Sequence, residues 1–95
     1  MEIVSIRHKA LRTYFETGNA KGLPGNLVDR LRKMLALIVD ADSRDELATP
    51  PNYGFHALTG DRAGIFAMTV TRNWRLVLAM PDDRSVADLD LEDYH

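Results

Sequence analysis

Six polar side chains in this sequence could together perform acid–base chemistry on a phosphodiester. Cleavage of RNA through its own 2′-hydroxyl needs a base for the hydroxyl proton, a cation for the charged phosphorane and an acid for the leaving oxygen. Histidine can move protons because it titrates near neutrality, and the planar guanidinium of arginine matches phosphate oxygens. The candidates for these roles are His56, Arg62, Arg75, Asp93, Tyr94 and His95.

Each of these residues also has an ordinary structural explanation. His56 could be a half-buried strand histidine, and Tyr94 could be a packing residue. Arg75 could be a surface residue or could pair with one of the late carboxylates. The run DLDLED at residues 88–93 could be a solvated acidic edge. Spacing alone therefore leaves RNA cleavage as one hypothesis among several.

Other kinds of active site find little support in the sequence. There is no cysteine, which excludes disulfides and thiolate metal sites. The three histidines have no paired metal-ligand spacing. The sequence has neither a glycine-rich phosphate loop nor a serine nucleophile motif. We therefore expect no metal and no cofactor.

The length and charge of the chain limit its class. Its 95 residues suit one domain, residues 1–95. The first 33 residues hold seven basic and three acidic side chains, a balance of +4, and the rest hold five and eleven, a balance of −6. This asymmetry indicates either solvated surfaces or a basic face for nucleic acid or an acidic partner. A strong nonspecific polyanion binder would be more basic overall.

The sequence shows no membrane or export signal. No apolar run approaches the ~20 residues that span a bilayer. The N-terminal segment MEIVSIRHKALRTY interrupts its apolar run with three polar residues, unlike a signal peptide. We therefore expect a soluble cytoplasmic protein.

The first half of the chain has the apolar spacing of helices. Spacings of three and four predict helices over residues 8–18 and 26–41. Gly18 is a plausible stop for the first, and Asn26 is a fair N-cap for the second. Residues 42–54 read as an irregular connection because they contain two consecutive prolines. The second helix should bury an apolar stripe made of Leu27, Leu31, Met34, Leu35 and Ile38.

The second half changes to the alternation of strands. It predicts a meander of about four strands, with a hairpin that turns near residues 72–73. In the last strand Ala87, Leu89 and Leu91 should share one face. Residues 2–6 add a short N-terminal strand. The predicted fold is α+β, with the short N-terminal strand and two helices packed on one face of an antiparallel β-meander.

Four segments, in order, resemble one protein family. They are SIRHKALRTYFETGNAKGL, FHALTGDRAG, RNWRLVL and the terminal LEDYH. In this order they resemble the HigB-type toxins, also called plasmid maintenance killer proteins, of the RelE/ParE superfamily. The resemblance extends over essentially the whole chain and includes the ending in Tyr-His.

The resemblance implies a compact fold of the microbial RNase type and a bacterial toxin that cuts mRNA in the ribosomal A site without metal. It also implies a HigA-type helix-turn-helix antitoxin. The toxin would contact operator DNA only through this antitoxin. The family's catalytic positions fall on His56, Arg75, Asp93, Tyr94 and His95. By this resemblance a histidine carries the proton, arginine stabilises the phosphate, tyrosine stacks on the RNA and aspartate fixes the geometry.

The sequence departs from the family pattern at one functional position. Where the family has the lysine of HPLKGD, this chain has Thr59, which cannot offer a cation. Arg62 could reach the phosphate in its place if its turn presents the side chain. Contact with ribosomal RNA would fall to basic residues near the N-terminus, among them Arg7, Lys9 and Arg12.

This departure keeps two alternatives open. The superfamily includes inhibitors of DNA gyrase that do not cut RNA, and loss of the lysine makes such a function plausible. A third possibility is a weakly active relative that serves mainly as the bound partner of its antitoxin.

Overall fold

The computed structural model describes residues 1–93, so Tyr94 and His95 lie outside the described residues. Within that range, three helices pack on one face of a five-stranded sheet. The elements in chain order are β1 (Glu2–Ile3), α1 (Lys9–Thr17), α2 (Val28–Asp40), α3 (Arg44–Ala48), β2 (His56–Ala57), β3 (Ile65–Thr71), β4 (Trp74–Asp82) and β5 (Ser85–Asp93).

The strand order of the sheet is β1-β5-β4-β3-β2. Strands β2 to β5 form the antiparallel meander that the sequence predicts. The predicted α+β fold, with helices on one face of this meander, is confirmed. One feature differs: β1 extends the sheet and runs parallel to β5, so the sheet is mixed. This pairing joins the two ends of the chain, and alternation within a segment carries no information about it.

Helix α1 has a defined cap at each end. The Nδ1 atom of His8 accepts a hydrogen bond of 3.1 Å from the Leu11 amide, which satisfies one of the free donors of the first turn. At the other end Gly18 adopts a φ of +80° and donates its amide to the Tyr14 carbonyl at 2.8 Å. The predicted stop at Gly18 is therefore confirmed.

Helix α2 supplies much of the core. All five residues of the predicted stripe are buried, and each is 5% exposed or less. The predicted N-cap is wrong: Asn26 lies inside a 3₁₀ turn at Gly25–Leu27, and Leu27 occupies the capping position without a side-chain hydrogen bond. The helix instead starts directly from the preceding 3₁₀ turn.

The predicted irregular connection at residues 42–54 contains helix α3 and a 3₁₀ turn at Pro51–Tyr53. Glu46 stabilises the helix start, because its Oε2 atom accepts the Asp42 amide at 2.6 Å. Proline is tolerated in the first turn of a helix, where its missing N–H would have no partner. The two prolines therefore end α3 without preventing the next turn.

A β-bulge interrupts the alternation of β5. The hairpin turn between β3 and β4 falls at residues 72–73 as predicted. In β5, however, the register shifts near Asp88, which has a φ of +52°. The inserted residue reverses the alternation, so Val86 is fully buried in place of Ala87. The prediction that Ala87 shares the face of Leu89 and Leu91 is therefore wrong.

The core lies between the helices and one face of the sheet. Within residues 1–93, no helix covers the opposite face of the sheet, so that face is available for a site. The terminal ammonium of Met1 ties β1 to the end of α2 by donating to the carbonyls of Ile38 and Val39 at 3.0 and 2.6 Å. Among residues 1–93, no helix combines the length and apolar character needed to cross a bilayer.

Candidate active site on the open face of the sheet

Strand pairing brings polar residues together on the face of the sheet that the helices leave uncovered, called here the open face. Residues directly opposite each other in antiparallel strands project to the same face. His56 pairs with Ala67, which pairs with Val77, and Val77 pairs with Asp90. This row therefore places a histidine at one side of the open face.

A second row of the open face holds the charged centre of the site. Thr69 pairs with Arg75, and Arg75 pairs with Glu92. Of the two structural possibilities for Arg75, a surface position or pairing with a late carboxylate, the structure shows the pairing. Its Nε and Nη2 atoms both donate to Oε1 of Glu92, at 3.2 and 3.1 Å.

Arg62 joins this row from a different segment of the chain. It ends the 3₁₀ turn Gly60–Arg62, which connects β2 to β3. Its Nη1 and Nη2 atoms donate to the two carboxylate oxygens of Glu92 at 3.1 and 2.6 Å. Such a bidentate pair fixes orientation as well as distance. Glu92 thus lies between two guanidinium groups. The two arginines, together with the Glu92 carboxylate that joins them, are called the arginine pair.

The arginines keep Glu92 ionised. Hydrogen bonding from Arg62 lowers the pKa of the Glu92 carboxyl below its usual range. Partial burial opposes this shift, and Arg75 adds to it. In turn, the hydrogen bond to Glu92 raises the pKa of Arg62. At neutral pH the arginine pair therefore carries two positive charges and one negative charge, a balance of +1.

His56 is held in one orientation although it is exposed. Its Nδ1 atom lies 2.7 Å from the carbonyl oxygen of Gly54. Because a carbonyl can only accept, Nδ1 carries the hydrogen, which leaves Nε2 as the acceptor of the neutral ring. The preceding Phe55 stacks on Phe66 with ring centroids 5.2 Å apart, which anchors this short strand to β3. His56 therefore presents Nε2 as a potential base.

A cavity of about 230 Å³ opens beside the arginine pair. Arg7 reaches it from the segment after β1, with Nε 3.8 Å from Asp88 Oδ1. The structure thus brings this predicted RNA-binding residue to the site. The charged side chains that line the cavity are Arg7, Asp61, Arg62, Asp88, Asp90 and Glu92.

Three predicted site residues lie elsewhere within the described part of the chain. Lys9 and Arg12 are exposed on α1 and do not line this cavity. Asp93 pairs with Trp74, so alternation places it on the face opposite Arg75 and Glu92. Thr59 is exposed and immediately precedes the turn that carries Arg62.

Glu92 is the residue of this site that the sequence analysis does not single out. Its position in an acidic run suggests a solvated edge. The alternation of the two strands could have pointed to it. Counted along β4 and β5 from the turn that joins them, Arg75 and Glu92 project to the same face. The register between β4 and β5 makes them direct neighbours.

Comparison with known proteins assigns a family to this arrangement. A model for the RelE-like toxin of type II toxin–antitoxin system HigB matches residues 4–95. Endoribonuclease HigB from Proteus vulgaris is 38% identical over 93 residues, which cover 98% of this chain and 99% of that protein.

Solved structures share the fold. YafQ from E. coli strain BL21(DE3) matches with a TM-score of 0.63 and 15% identity, over 97% of this chain and 91% of its own. The YoeB/ParE toxin from Agrobacterium tumefaciens matches with a TM-score of 0.54 and 16% identity, over 100% and 99% of the two chains. These likenesses support a RelE-like fold.

Proposed function

This chain belongs to the HigB family of RelE-like toxins of type II toxin–antitoxin systems, and from that membership we propose that it is an endoribonuclease that cuts mRNA on the ribosome. The observation that carries the proposal is the open face, where an oriented histidine and two arginines project from neighbouring strands and one turn. These are the groups that RNA cleavage through the 2′-hydroxyl requires.

The geometry of the open face suits a nucleotide between His56 and the arginine pair. His56 and Arg75 lie two strands apart, about 10 Å, and two residues apart along the strand direction, about 7 Å. Arginine is long enough to reduce this gap, and a sugar-phosphate unit can span the rest. His56 would then meet the 2′-hydroxyl while Arg62 and Arg75 contact the phosphate.

The proposed reaction needs no metal. A base removes the proton of the 2′-hydroxyl, whose oxygen attacks the adjacent phosphorus. The bond from phosphorus to the 5′-oxygen breaks, and an acid returns a proton to that oxygen. The products are a 2′,3′-cyclic phosphate and a 5′-hydroxyl. Arginine N–H groups stabilise the extra charge of the phosphorane.

We assign the two proton transfers to His56 and His95. The Nε2 atom of His56 is the acceptor in the neutral ring, which suits it to the base role. By the family resemblance, His95 is the second proton carrier and Tyr94 stacks on the RNA. The resemblance also has Asp93 fix the geometry, although its side chain here projects to the face opposite Arg75 and Glu92, so it would act from outside the open face. These three assignments rest on sequence position alone, and Tyr94 and His95 lie outside the described residues.

The weak attraction that this chain offers to free RNA supports the proposed dependence on the ribosome. Its net charge is −2, and four carboxylates line the cavity beside the arginine pair. Affinity for nucleic acid comes largely from neutralised phosphates, and the three arginines Arg7, Arg62 and Arg75 face four carboxylates here, a balance of −1, so the site holds free RNA poorly. A ribosome would supply the missing binding energy by presenting the mRNA. Arg7, Lys9 and Arg12 are the exposed cations proposed to contact RNA.

The partner of this toxin is an antitoxin, as the family definition states. We propose a HigA-type helix-turn-helix protein, which would also provide the only route to operator DNA. The +4 balance of the first 33 residues offers a surface for an acidic segment of that partner.

A translation reaction with one defined mRNA tests the proposal. Cut sites would be mapped by primer extension, with and without ribosomes, for the parent protein, Thr59→Lys and His95→Ala. We expect cuts by the parent only when ribosomes are present, and their loss in His95→Ala. Because Arg62 already supplies a cation beside the turn, Thr59→Lys should increase cleavage without being required for it.

The other outcomes of this reaction point to the alternatives. Cuts by Thr59→Lys alone would mean that the chain keeps the fold but has lost activity at one position. The absence of cuts by all three proteins would contradict the proposal. A supercoiling assay would then test gyrase inhibition, and growth assays with the antitoxin would test a purely regulatory role.

A further inference from the structure

The turn that carries Arg62 has little to hold it in place. Gly60 and Gly64 flank it with φ values of +68° and +91°, and both positions face open space. None of the residues of the turn is buried. The backbone hydrogen bonds within it, from the amides of Arg62 and Ala63, are 3.4 and 3.2 Å, and a shorter bond of 2.8 Å from Leu58 to Ile65 closes the loop at its base. A segment with so few buried contacts is expected to move easily.

Glu92 belongs instead to a strand that is paired with β4. It lies near the end of β5, opposite Arg75 in the central β4–β5 pair, and its side chain is 27% exposed. Its Oε1 atom accepts from both arginines, and its Oε2 atom accepts a 2.6 Å hydrogen bond from Arg62. The contact with Arg62 joins residues 30 positions apart. Through these hydrogen bonds with Arg62, Glu92 anchors the turn to the sheet.

We propose that Glu92 is a positioning residue, whose carboxylate holds Arg62 beside Arg75 so that both guanidinium groups face the same RNA phosphate. This inference rests on the proposed function and extends it. Two cations side by side repel each other, and a carboxylate between them removes that repulsion. Arg75 is already restrained by its strand and is 21% exposed, whereas Arg62 is 41% exposed. The effect of Glu92 is therefore mainly on Arg62.

The contact with Glu92 leaves Arg62 able to bind a phosphate. A guanidinium has five N–H donors, and the described contacts with Glu92 use two of those on Arg62. Other donors of Arg62 can reach an anion at the open face while the carboxylate stays bound. Glu92 therefore positions this cation, and the RNA phosphate does not need to displace it.

Kinetics on ribosome-bound mRNA test this role. Glu92→Gln keeps the shape of the side chain but removes the charge that holds both arginines. We expect kcat to fall by about 10- to 100-fold, as for a catalytic group displaced by an ångström, with a smaller change in KM. Glu92→Gln should have little further effect on Arg62→Ala protein, because the two residues act in sequence. Glu16→Gln, the same substitution on exposed α1, is the control for charge.

A second measurement does not depend on cleavage. Relaxation of the Arg62 Nε–H group, measured by NMR on 15N-arginine-labelled toxin, reports how firmly the side chain is held. We expect restricted motion in the parent and in Glu16→Gln, and fast motion in Glu92→Gln. Thermal unfolding of each variant would show that the comparison is made on folded protein.

The two measurements separate the inference from the proposed function. Parent protein that fails to cut on ribosomes would contradict the function, and the relaxation data would still decide the role of Glu92. An equally restrained Arg62 in Glu92→Gln, or additive losses in the double variant, would overturn the positioning role. Lower kcat together with a mobile Arg62 would support it.

Discussion

Replacement of Arg75 by alanine is expected to lower the rate of mRNA cleavage by about 10²–10³-fold, the usual loss when one preorganised donor to a charged transition state is removed. Arg75 is the less exposed of the two arginines, and its strand fixes it opposite Glu92. Its loss also changes the charge of the arginine pair from +1 to zero. The phosphorane would then form beside a neutral ion pair.

Two further variants separate this local role from a general effect of charge. Arg75→Lys keeps the charge but loses the planar fork, so it should recover only part of the rate. Arg84→Ala removes the same charge from the turn between β4 and β5, at the far end of the hairpin, about 23 Å along the strand. Single-turnover cleavage on ribosomes is the measurement. A loss of rate in Arg84→Ala equal to that in Arg75→Ala would show that net charge, and not geometry, governs activity.

Replacement of His56 by alanine is expected to cost about 10²–10⁴-fold in the same assay, the range for a positioned acid–base group. The side chain is exposed, and its Nδ1 hydrogen bond to Gly54 is its only described polar contact within residues 1–93. The fold should therefore tolerate its removal. Because the position opens to solvent, added imidazole should restore part of the cleavage by taking the proton in place of the side chain.

The control for this prediction is the other histidine in the described part of the chain. His8 caps helix α1 through its Nδ1 atom, so His8→Ala should lower the free energy of unfolding by about 1 kcal/mol. The cleavage rate of its folded fraction should stay that of the parent. Cleavage by His56→Ala at the parent rate would assign the base role to another group, first of all His95.

Local patterns predicted the elements whose stability depends on neighbours in the chain. The α2 stripe, the stop at Gly18 and the hairpin turn all follow from spacing over a few residues. The parallel pairing of β1 with β5 could not be predicted in this way, since it depends on contacts between distant segments. The bulge at Asp88 was hidden for another reason: a positive φ is unusual at a residue other than glycine.

The candidate site was predicted in type more than in geometry. His56, Arg62 and Arg75, which were candidates because of their chemistry, lie on the open face. Glu92, which was not predicted, joins the two arginines, because the register of β5 places this carboxylate, and not Asp93, opposite Arg75. Periodicity gives the face of a residue within a strand, but the register between two strands decides which partner lies across from it.

The parallel pairing of β1 with β5 has a consequence for how the toxin folds. Ser5 accepts the Asp88 amide at 2.8 Å across 83 positions of sequence. Closing so long a loop costs entropy, and the segment that repays it pairs with β5 over only a few residues, so β1 should dock after the helices and the meander have formed. Because Arg7 reaches the cavity from this segment, a nascent or partly opened chain lacks a complete site. Hydrogen exchange should show it: the Val4 and Arg7 amides, bonded to β5, should exchange before those of the central strands.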